Sequence, residues 1–187
     1  MSKDVYCIFH STDFDGKCSA KIVEKFYNEK NINVNFIPID YGQPFDMKKE
    51  IPQENQIVVM VDFSFSSDIM KEIYCEHDLI WIDHHERSII DAKDTPYQFC
   101  DGWRSLKLAA CQLTWLYFFG TKKTNETNMT PFNIDAWDIE KEIPLAVNLL
   151  GWYDINDIRK HRNIISFQFG INLVNNTFKN KIWDALF

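Results

Sequence analysis

The run Ile57-Val-Val-Met-Val61, which ends at Asp62, contains no polar residue and is typical of a strand buried on both faces. A second run of the same kind, Leu79-Ile-Trp-Ile82, ends at Asp83-His84-His85. The residues between the two runs predict a short helix from Ser66 to Glu76. Strands that alternate with helices in this way form right-handed crossovers in a parallel sheet. The sequence therefore predicts parallel strands that carry acidic and imidazole side chains at their carboxyl ends.

The N-terminal part of the chain extends the same pattern. Val5-Tyr-Cys-Ile-Phe9 predicts a first strand, and apolar residues at helical spacing predict a helix from about Lys17 to Lys30. Val34 to Ile39 predicts a further strand, and Pro38 favours an edge position because proline cannot donate to a sheet ladder. These elements indicate an α/β fold: a Rossmann-like three-layer domain with a mainly parallel sheet flanked by helices.

The C-terminal half is predicted to be helical. After about Ser105 an apolar stripe recurs at Leu106, Ala109, Ala110, Leu113, Leu116 and Tyr117. The polar stretch from Thr121 to Asn133 predicts a surface loop. Pro144 suits the first turn of a helix that runs to Tyr153, while Ile164 to Leu173 fits either a strand or a helix. We expect one catalytic domain over residues 1–160, and a C-terminal extension or linker remnant over residues 161–187.

Composition excludes several classes of protein. The 187 residues are 45% hydrophobic and 15% aromatic, which excludes disorder over most of the chain. The formal charge of −7 disfavours binding to long duplex DNA through a broad basic face. Five cysteines without a Cys-x-x-Cys pair disfavour a disulfide framework or a zinc ribbon, so reduced core thiols are expected. No apolar run approaches the length of a membrane span, and the N-terminus does not resemble a signal peptide, so we expect no membrane association and a cytoplasmic protein.

Potential metal ligands follow three of the predicted strands: His10 with Asp13 and Asp15, then Asp62, then Asp83-His84-His85. In open α/β sheets, ligands bind outside the carboxyl ends of the strands. Because neighbouring strands lie about 4.8 Å apart, these side chains are expected to share one crevice. Asp154, at the end of a predicted helix, is expected to close the site from another side.

A cluster of carboxylates requires positive charge, because mutual repulsion would otherwise raise their pKa values or open the site. Mixed imidazole and carboxylate ligands suit Mn²⁺ or Fe²⁺, and Mg²⁺ and Zn²⁺ are also possible. Two ions about 3.5–4 Å apart would form a hydrolytic site that activates water for attack on phosphorus. Asp62, alone after its strand, is the natural bridging ligand. Taken singly, each group also has a structural explanation, such as a turn at Asp13 to Gly16 or a helix cap at Asp62.

Four segments, in this order along the chain, resemble motifs I to IV of the DHH phosphoesterase superfamily: His10-Ser-Thr-Asp13-Phe-Asp15-Gly16, Val59-Met-Val-Asp62, Asp83-His84-His85 and Leu150-Gly-Trp-Tyr-Asp154. That superfamily includes single-strand exonucleases, oligoribonucleases, cyclic-dinucleotide phosphodiesterases and, more distantly, family II inorganic pyrophosphatases. An ordered set of four motifs is a far more specific signal than the tripeptide alone.

The resemblance implies a role for each residue. One ion would be held by His10 and Asp13, the other by Asp15, His84 and Asp154, and both by the shared ligand Asp62. His85 and Asp83 would act in catalysis with Asp62: His85 would donate a hydrogen bond to the substrate phosphate, and Asp83 would orient the histidines. The resemblance also implies that the N-terminus of the next helix faces the phosphate. Arg104 and Ser105 precede it and are candidate phosphate contacts, the alternative being a solvated arginine and an ordinary helix cap.

The superfamily pattern usually continues into a smaller C-terminal domain with a glycine-rich motif, and no such cluster follows Asp154. We therefore expect a single-domain or truncated form, or a partner, such as a second copy in a homodimer, that completes the cleft. The function expected is a Mn²⁺-dependent phosphodiesterase acting on a small nucleotide, either a short oligonucleotide or a cyclic dinucleotide. The alternatives are a phosphomonoesterase or pyrophosphatase, and a non-catalytic nucleotide-binding module.

Overall fold

A computed structural model describes residues 3–121, 140–174, 177–179 and 181–187. Its centre is a four-stranded, entirely parallel sheet in the order β2-β1-β3-β4. The strands are β1 (Val5–His10), β2 (Val34–Ile39), β3 (Ile57–Val61) and β4 (Asp78–Ile82). Helices pack on both faces of the sheet, so the predicted α/β fold with three layers is confirmed.

Seven α-helices are present in the described residues: α1 (Phe14–Asn28), α2 (Met47–Glu50), α3 (Ser67–Glu76), α4 (Glu86–Asp91), α5 (Ala110–Phe119), α6 (Leu145–Asp154) and α7 (Ile164–Leu173). Short 3-10 turns occur at Pro96–Phe99, Glu140–Glu142 and Lys181–Ala185. Within these described ranges, no helix has the length and apolarity that crossing a membrane requires.

The two faces of the sheet bury separate apolar cores. Cys7, Val59 and Ile82 point towards the layer of α1, α5 and α6. Residues one position further along the strands, such as Ile8 and Met60, face the layer of α2 and α3. This alternation is the ordinary two-residue period of a strand, and it requires every central-strand residue to be apolar because both faces are covered.

The predicted strands agree closely with the structure. β2 and β3 have the predicted bounds, and β1 continues one residue further, to His10. β2 lies at the edge of the sheet, which confirms the position inferred from Pro38.

The helix predictions differ from the structure at their N-termini. α1 begins at Phe14 rather than near Lys17, because Asp13 caps it: Asp13 Oδ1 accepts a hydrogen bond from the Gly16 amide at 2.9 Å. α5 begins only at Ala110, and Leu106 is exposed rather than part of its apolar stripe. The loop predicted from Thr121 to Asn133 lies, beyond Thr121, outside the described residues.

The residues after 160 pack against the rest of the chain. Residues 164–173, which fitted either a strand or a helix, form α7, whose Ile164 is buried against Leu149 and Trp152 of α6. Trp183 is fully buried, and its ring lies 6.2 Å from that of Phe14. The extension therefore covers part of the core beside α1.

The five cysteines are free thiols. Cys7, Cys18, Cys100 and Cys111 are buried, as expected of core residues, whereas Cys75 is exposed. Burial raises the pKa of the Cys7 and Cys111 thiols, so both stay protonated and unreactive at neutral pH.

The end of β4 is packed too tightly for a side chain at Gly102. Residues 101–104 run beside β4, and the Trp81 amide donates to the Asp101 carbonyl at 2.8 Å. Gly102 has φ +106°, and a Cβ there would lie 2.1 Å from the Trp81 carbonyl oxygen. Gly42 has a similar φ of +83° but no atom within 4 Å of a Cβ. An alanine would adopt an unfavourable left-handed backbone at either position, but only at position 102 would its Cβ clash with a neighbouring atom.

We therefore expect Gly102→Ala to lower the free energy of unfolding by about 3 kcal/mol and Gly42→Ala by about 1 kcal/mol, the cost of a left-handed alanine alone. Urea unfolding of both variants, followed by circular dichroism, measures the difference. Equal midpoints for the two variants would show that the close approach to Trp81 costs nothing.

Candidate metal centre

The carboxyl ends of three neighbouring strands meet at one edge of the sheet. His10 is the last residue of β1, Asp62 follows β3, and His84 and His85 come shortly after β4. Because β3 lies between β1 and β4, Asp62 occupies the middle of this edge. The structure therefore brings together the side chains that the sequence predicted would converge.

The first donor group combines one imidazole with two carboxylates. His10 Nδ1 lies 2.5 Å from Asp13 Oδ2 and 3.6 Å from Asp62 Oδ2. The donor atoms of the three residues all lie within 4.8 Å of one another, close enough to hold one cation.

The second donor group lies on the other side of Asp62. His84 Nε2 is 3.6 Å from Asp15 Oδ2 and 3.3 Å from Asp154 Oδ2, and these three residues also have donor atoms within 4.8 Å of one another. His84 Nε2 is 3.3 Å from Asp62 Oδ1 as well. One oxygen of Asp62 thus faces each group, as a shared ligand requires. Asp62, His84 and His85 form a third group of the same size.

Asp62 is held in an unfavourable state. Its side chain is 1% exposed, its φ is +55°, and neither carboxylate oxygen accepts a hydrogen bond from the described residues. A left-handed backbone at a non-glycine residue and an unsatisfied buried carboxylate each cost free energy. Burial accordingly raises the pKa of Asp62. A cation between the two donor groups would satisfy both oxygens, so the residues present fit divalent metal ions.

Asp15 is fixed by the N-terminus of α5. The amides of Ala110 and Cys111 donate to its two carboxylate oxygens at 2.8 and 2.7 Å. A helix N-terminus favours negative charge, and its first amides have no partner within the helix. Asp15 therefore engages these two amides, which donate to its carboxylate rather than to a substrate phosphate.

The Asp13 to Gly16 segment is both a helix start and part of the site. Asp13 Oδ1 caps α1 while Oδ2 faces His10. A Cβ on Gly16 would lie 2.1 Å from the His10 carbonyl oxygen, so only glycine lets α1 begin this close to the end of β1. The turn therefore caps α1 and also places an Asp13 oxygen beside His10.

Sequence reasoning missed Asp40. Asp40 Oδ1 lies 3.1 Å from His10 Nε2, and Thr12 Oγ1 lies 2.8 Å from the same nitrogen. Metal-ligating histidines commonly use their second ring nitrogen in this way, which fixes the ring and leaves the other nitrogen for the metal. Asp40 directly follows β2, so the strand-end rule applied to the fourth strand would have found it.

Asp83 organises the two histidines that follow it. Its side chain is fully buried, and Oδ1 accepts hydrogen bonds from the amides of His84 and His85 at 2.7 and 3.1 Å. The same oxygen lies 2.7 Å from His85 Nδ1, and this hydrogen bond raises the pKa of His85. The orienting position expected of Asp83 is present in the geometry.

Arg104 and Ser105 run beside Asp83, and the Ser105 amide donates to the Asp83 carbonyl at 3.2 Å. The Arg104 guanidinium donates to the backbone carbonyls of Trp81, Gln98, Cys100 and Asp101, at 3.0 to 3.3 Å. The guanidinium therefore holds the loop before Gly102 against β4. Ser105 is fully buried, and its Oγ accepts a hydrogen bond from the Lys107 amide at 3.2 Å.

Without a cation, the donor groups retain protons. Burial, together with the charge of Asp62, raises the pKa of Asp15 to about 7, and burial and the charge of Asp15 raise that of Asp154 to about 7. Burial would lower the pKa of His84, but the Asp62 and Asp15 carboxylates raise it to about 10. Hydrogen bonding to Asp13 raises the pKa of His10 to about 10 as well.

A divalent ion must displace these protons, so we expect metal binding near pH 7 to release roughly three protons per chain: one from each of His10 and His84, and about half from each of Asp15 and Asp154. Binding should tighten as the pH rises from about 6 to 8. Titration calorimetry with Mn²⁺ in two buffers of different ionisation enthalpy counts the protons. Asp154→Asn should release fewer, and Asp157→Asn, on the loop after α6, should release the wild-type number. Identical heats in both buffers for the wild type would contradict the expected displacement.

A comparison with family models matches residues 4–137 to the DHH family, N-terminal domain. A comparison with curated proteins finds no match. The matched range includes the ligand candidates from His10 to His85, whereas Asp154 lies beyond it and reaches the site at the end of α6. The family model covers most of the chain and agrees with the observed sheet and strand-end site, so the chain belongs to the DHH family.

Proposed function

We propose that this chain is a phosphodiesterase that uses two divalent cations, with Mn²⁺ as the first choice, to hydrolyse a small nucleotide such as a short oligonucleotide or a cyclic dinucleotide. Membership of the DHH family implies metal-dependent phosphoesterase activity. The observation that carries the proposal is the position of Asp62, whose two unsatisfied oxygens face one donor group each.

The donor set suits metals that accept both nitrogen and oxygen. His10 and Asp13 would hold one ion, Asp15, His84 and Asp154 the other, and Asp62 both. One imidazole and several carboxylates per ion match Mn²⁺ or Fe²⁺, while Mg²⁺ and Zn²⁺ are the alternatives to compare. When bound, such ions lower the pKa of water and offset the negative charge that develops on the phosphoryl group.

His85 would act on the substrate through its second ring nitrogen. The hydrogen bond to Asp83 engages Nδ1 and raises the pKa of His85, which favours the form of the ring that carries a proton on Nε2 as well. That proton can be donated to a non-bridging phosphate oxygen, where negative charge increases during hydrolysis. Asp83, which is fully buried, fixes the ring orientation in which this donation would occur.

The proposal predicts the products of a substrate panel. The Mn²⁺-loaded protein is incubated with linear and cyclic dinucleotides, 3′-phosphoadenosine 5′-phosphate, pyrophosphate and single-stranded DNA, and the products are separated by chromatography. We expect the dinucleotides to yield nucleoside monophosphates. We also expect them to be preferred to single-stranded DNA, because the chain is acidic and small substrates carry less negative charge for it to repel. Release of inorganic phosphate alone would indicate a phosphomonoesterase or pyrophosphatase, and tight binding without turnover would indicate a nucleotide-binding module.

Asp62→Asn tests the shared ligand. Asparagine has the same shape and tolerates the left-handed backbone, but its amide is a poor bridge between two cations. We expect at least about a hundredfold loss of Mn²⁺-dependent hydrolysis, while the metal-free variant unfolds at the same temperature as the wild type or higher, because a buried charge has been removed.

Asp94→Asn is the matched control, because Asp94 has the same left-handed backbone, with φ +63°, and is exposed on the loop after α4. This variant should keep both hydrolysis and stability. If Asp62→Asn retains more than about a tenth of the wild-type rate, Asp62 does not bridge two ions.

A further inference from the structure

An aromatic side chain stands beside the metal centre with half of its surface in solvent. Tyr41 follows Asp40 directly, and its ring centroid lies 5.4 Å from that of His10 and 6.2 Å from that of His85. Its side chain is 50% exposed. Tyr41 therefore borders the metal centre on the side of the edge strand β2.

The Tyr41 ring is supported from behind. It packs on Phe63 at 4.7 Å with an interplanar angle of 33°. Phe63 is 2% exposed and follows Asp62 directly, and its carbonyl accepts a hydrogen bond from Trp81 Nε1 at 3.1 Å. Phe65 packs against the edge of Phe63 at 4.9 Å. Phe63, which supports the Tyr41 ring, is thus buried and adjacent in sequence to the shared ligand Asp62.

The backbone at Tyr41 is also tied to the metal centre. The Tyr41 amide donates to Asp40 Oδ1 at 2.8 Å, the same oxygen that lies near His10 Nε2. Tyr41 is therefore linked to His10 through Asp40 and to Asp62 through Phe63. These two links fix the distance between the exposed ring and the place where a phosphate would bind.

We propose that Tyr41 is a stacking platform for a nucleobase of the substrate, next to the phosphate that is hydrolysed. Every base presents a flat π-face, and base–aromatic stacking contributes binding energy without depending on sequence or charge. Such recognition suits an acidic protein whose Arg104 is engaged with backbone carbonyls. The assignment rests on the proposed function and narrows it, because it makes the substrate a nucleotide rather than pyrophosphate or another base-free phosphate.

The test separates the contributions that the Tyr41 ring, the Tyr41 hydroxyl and the substrate base make to binding. Tyr41→Leu removes the aromatic ring, Tyr41→Phe keeps it, and Phe169→Leu removes an exposed aromatic ring on α7, outside the site. Two ligands are used in the presence of Mn²⁺: a dinucleotide whose bridging ester oxygen is replaced by methylene, which cannot be hydrolysed, and the same compound with both bases replaced by hydrogen. Titration calorimetry gives the Kd of each pair, and thermal unfolding shows that the variants are folded.

We expect Tyr41→Leu to weaken binding of the intact dinucleotide about tenfold, and the base-free compound to bind wild type and variant equally. Tyr41→Phe and Phe169→Leu should stay within about threefold of the wild-type Kd for the intact compound. With hydrolysable dinucleotides, Tyr41→Leu should raise KM about tenfold with little change in kcat.

Three outcomes overturn the platform: an unchanged Kd in Tyr41→Leu, an equal loss for both ligands, or no binding of the intact dinucleotide to the wild type. A wild-type protein that binds with the expected dependence on Tyr41 but shows no turnover would instead overturn the proposed hydrolysis and leave the platform standing. The two proposals can therefore fail separately.

Discussion

Mutual repulsion among carboxylates at one edge of the sheet is the constraint on which the rest of the structure depends. Asp15 and Asp62 are almost fully buried, and Asp13 and Asp154 lie beside them. Each charge in such surroundings raises the pKa of its neighbours unless protons, helix amides or cations offset it. The fold supplies amides to Asp15 and imidazoles to the others, but it supplies no hydrogen bond to Asp62 from the described residues. The remaining deficit of positive charge lies where divalent ions would bind.

The helices are arranged so that this edge stays intact. The hydrogen bonds from α5 to Asp15 join the start of α1 to the start of α5. α5 in turn packs closely on α6: Gln112 donates to Asn148 at 2.8 Å, and a Cβ on Gly151 would lie 2.5 Å from the Gln112 side chain. This close approach brings Asp154, the last residue of α6, to His84. A ligand far from the strands in sequence thus depends on helix packing for its position.

Periodicity in the sequence predicts the buried strands and the residues at their ends. It does not predict contacts made by backbone groups, or a site residue that follows a partly exposed strand. Uniformly apolar runs before Asp62 and Asp83 identify central strands, and the carboxyl-end rule then places their polar neighbours together. The amides that hold Asp15 belong to Ala110 and Cys111, whose side chains carry no signal of that role. The sequence does not single out Asp40, because β2 is a partly exposed edge strand and lacks the uniformly apolar run that precedes Asp62 and Asp83. The carbonyl partners of Arg104 are likewise absent from any side-chain pattern.

The positions of these residues divide the work of the site between central and edge strands. β1, β3 and β4 carry donor atoms whose spacing is fixed by the sheet, because a shift of any one strand would separate the two groups that meet at Asp62. β2 pairs with β1 alone, and its end supplies Asp40 and Tyr41, which contact the centre from its margin. Changes after Ile39 can therefore alter what lies beside the metal centre without altering the metal ligands themselves. A rigid centre with a separately variable margin is an arrangement that allows one hydrolytic chemistry to serve different phosphate esters.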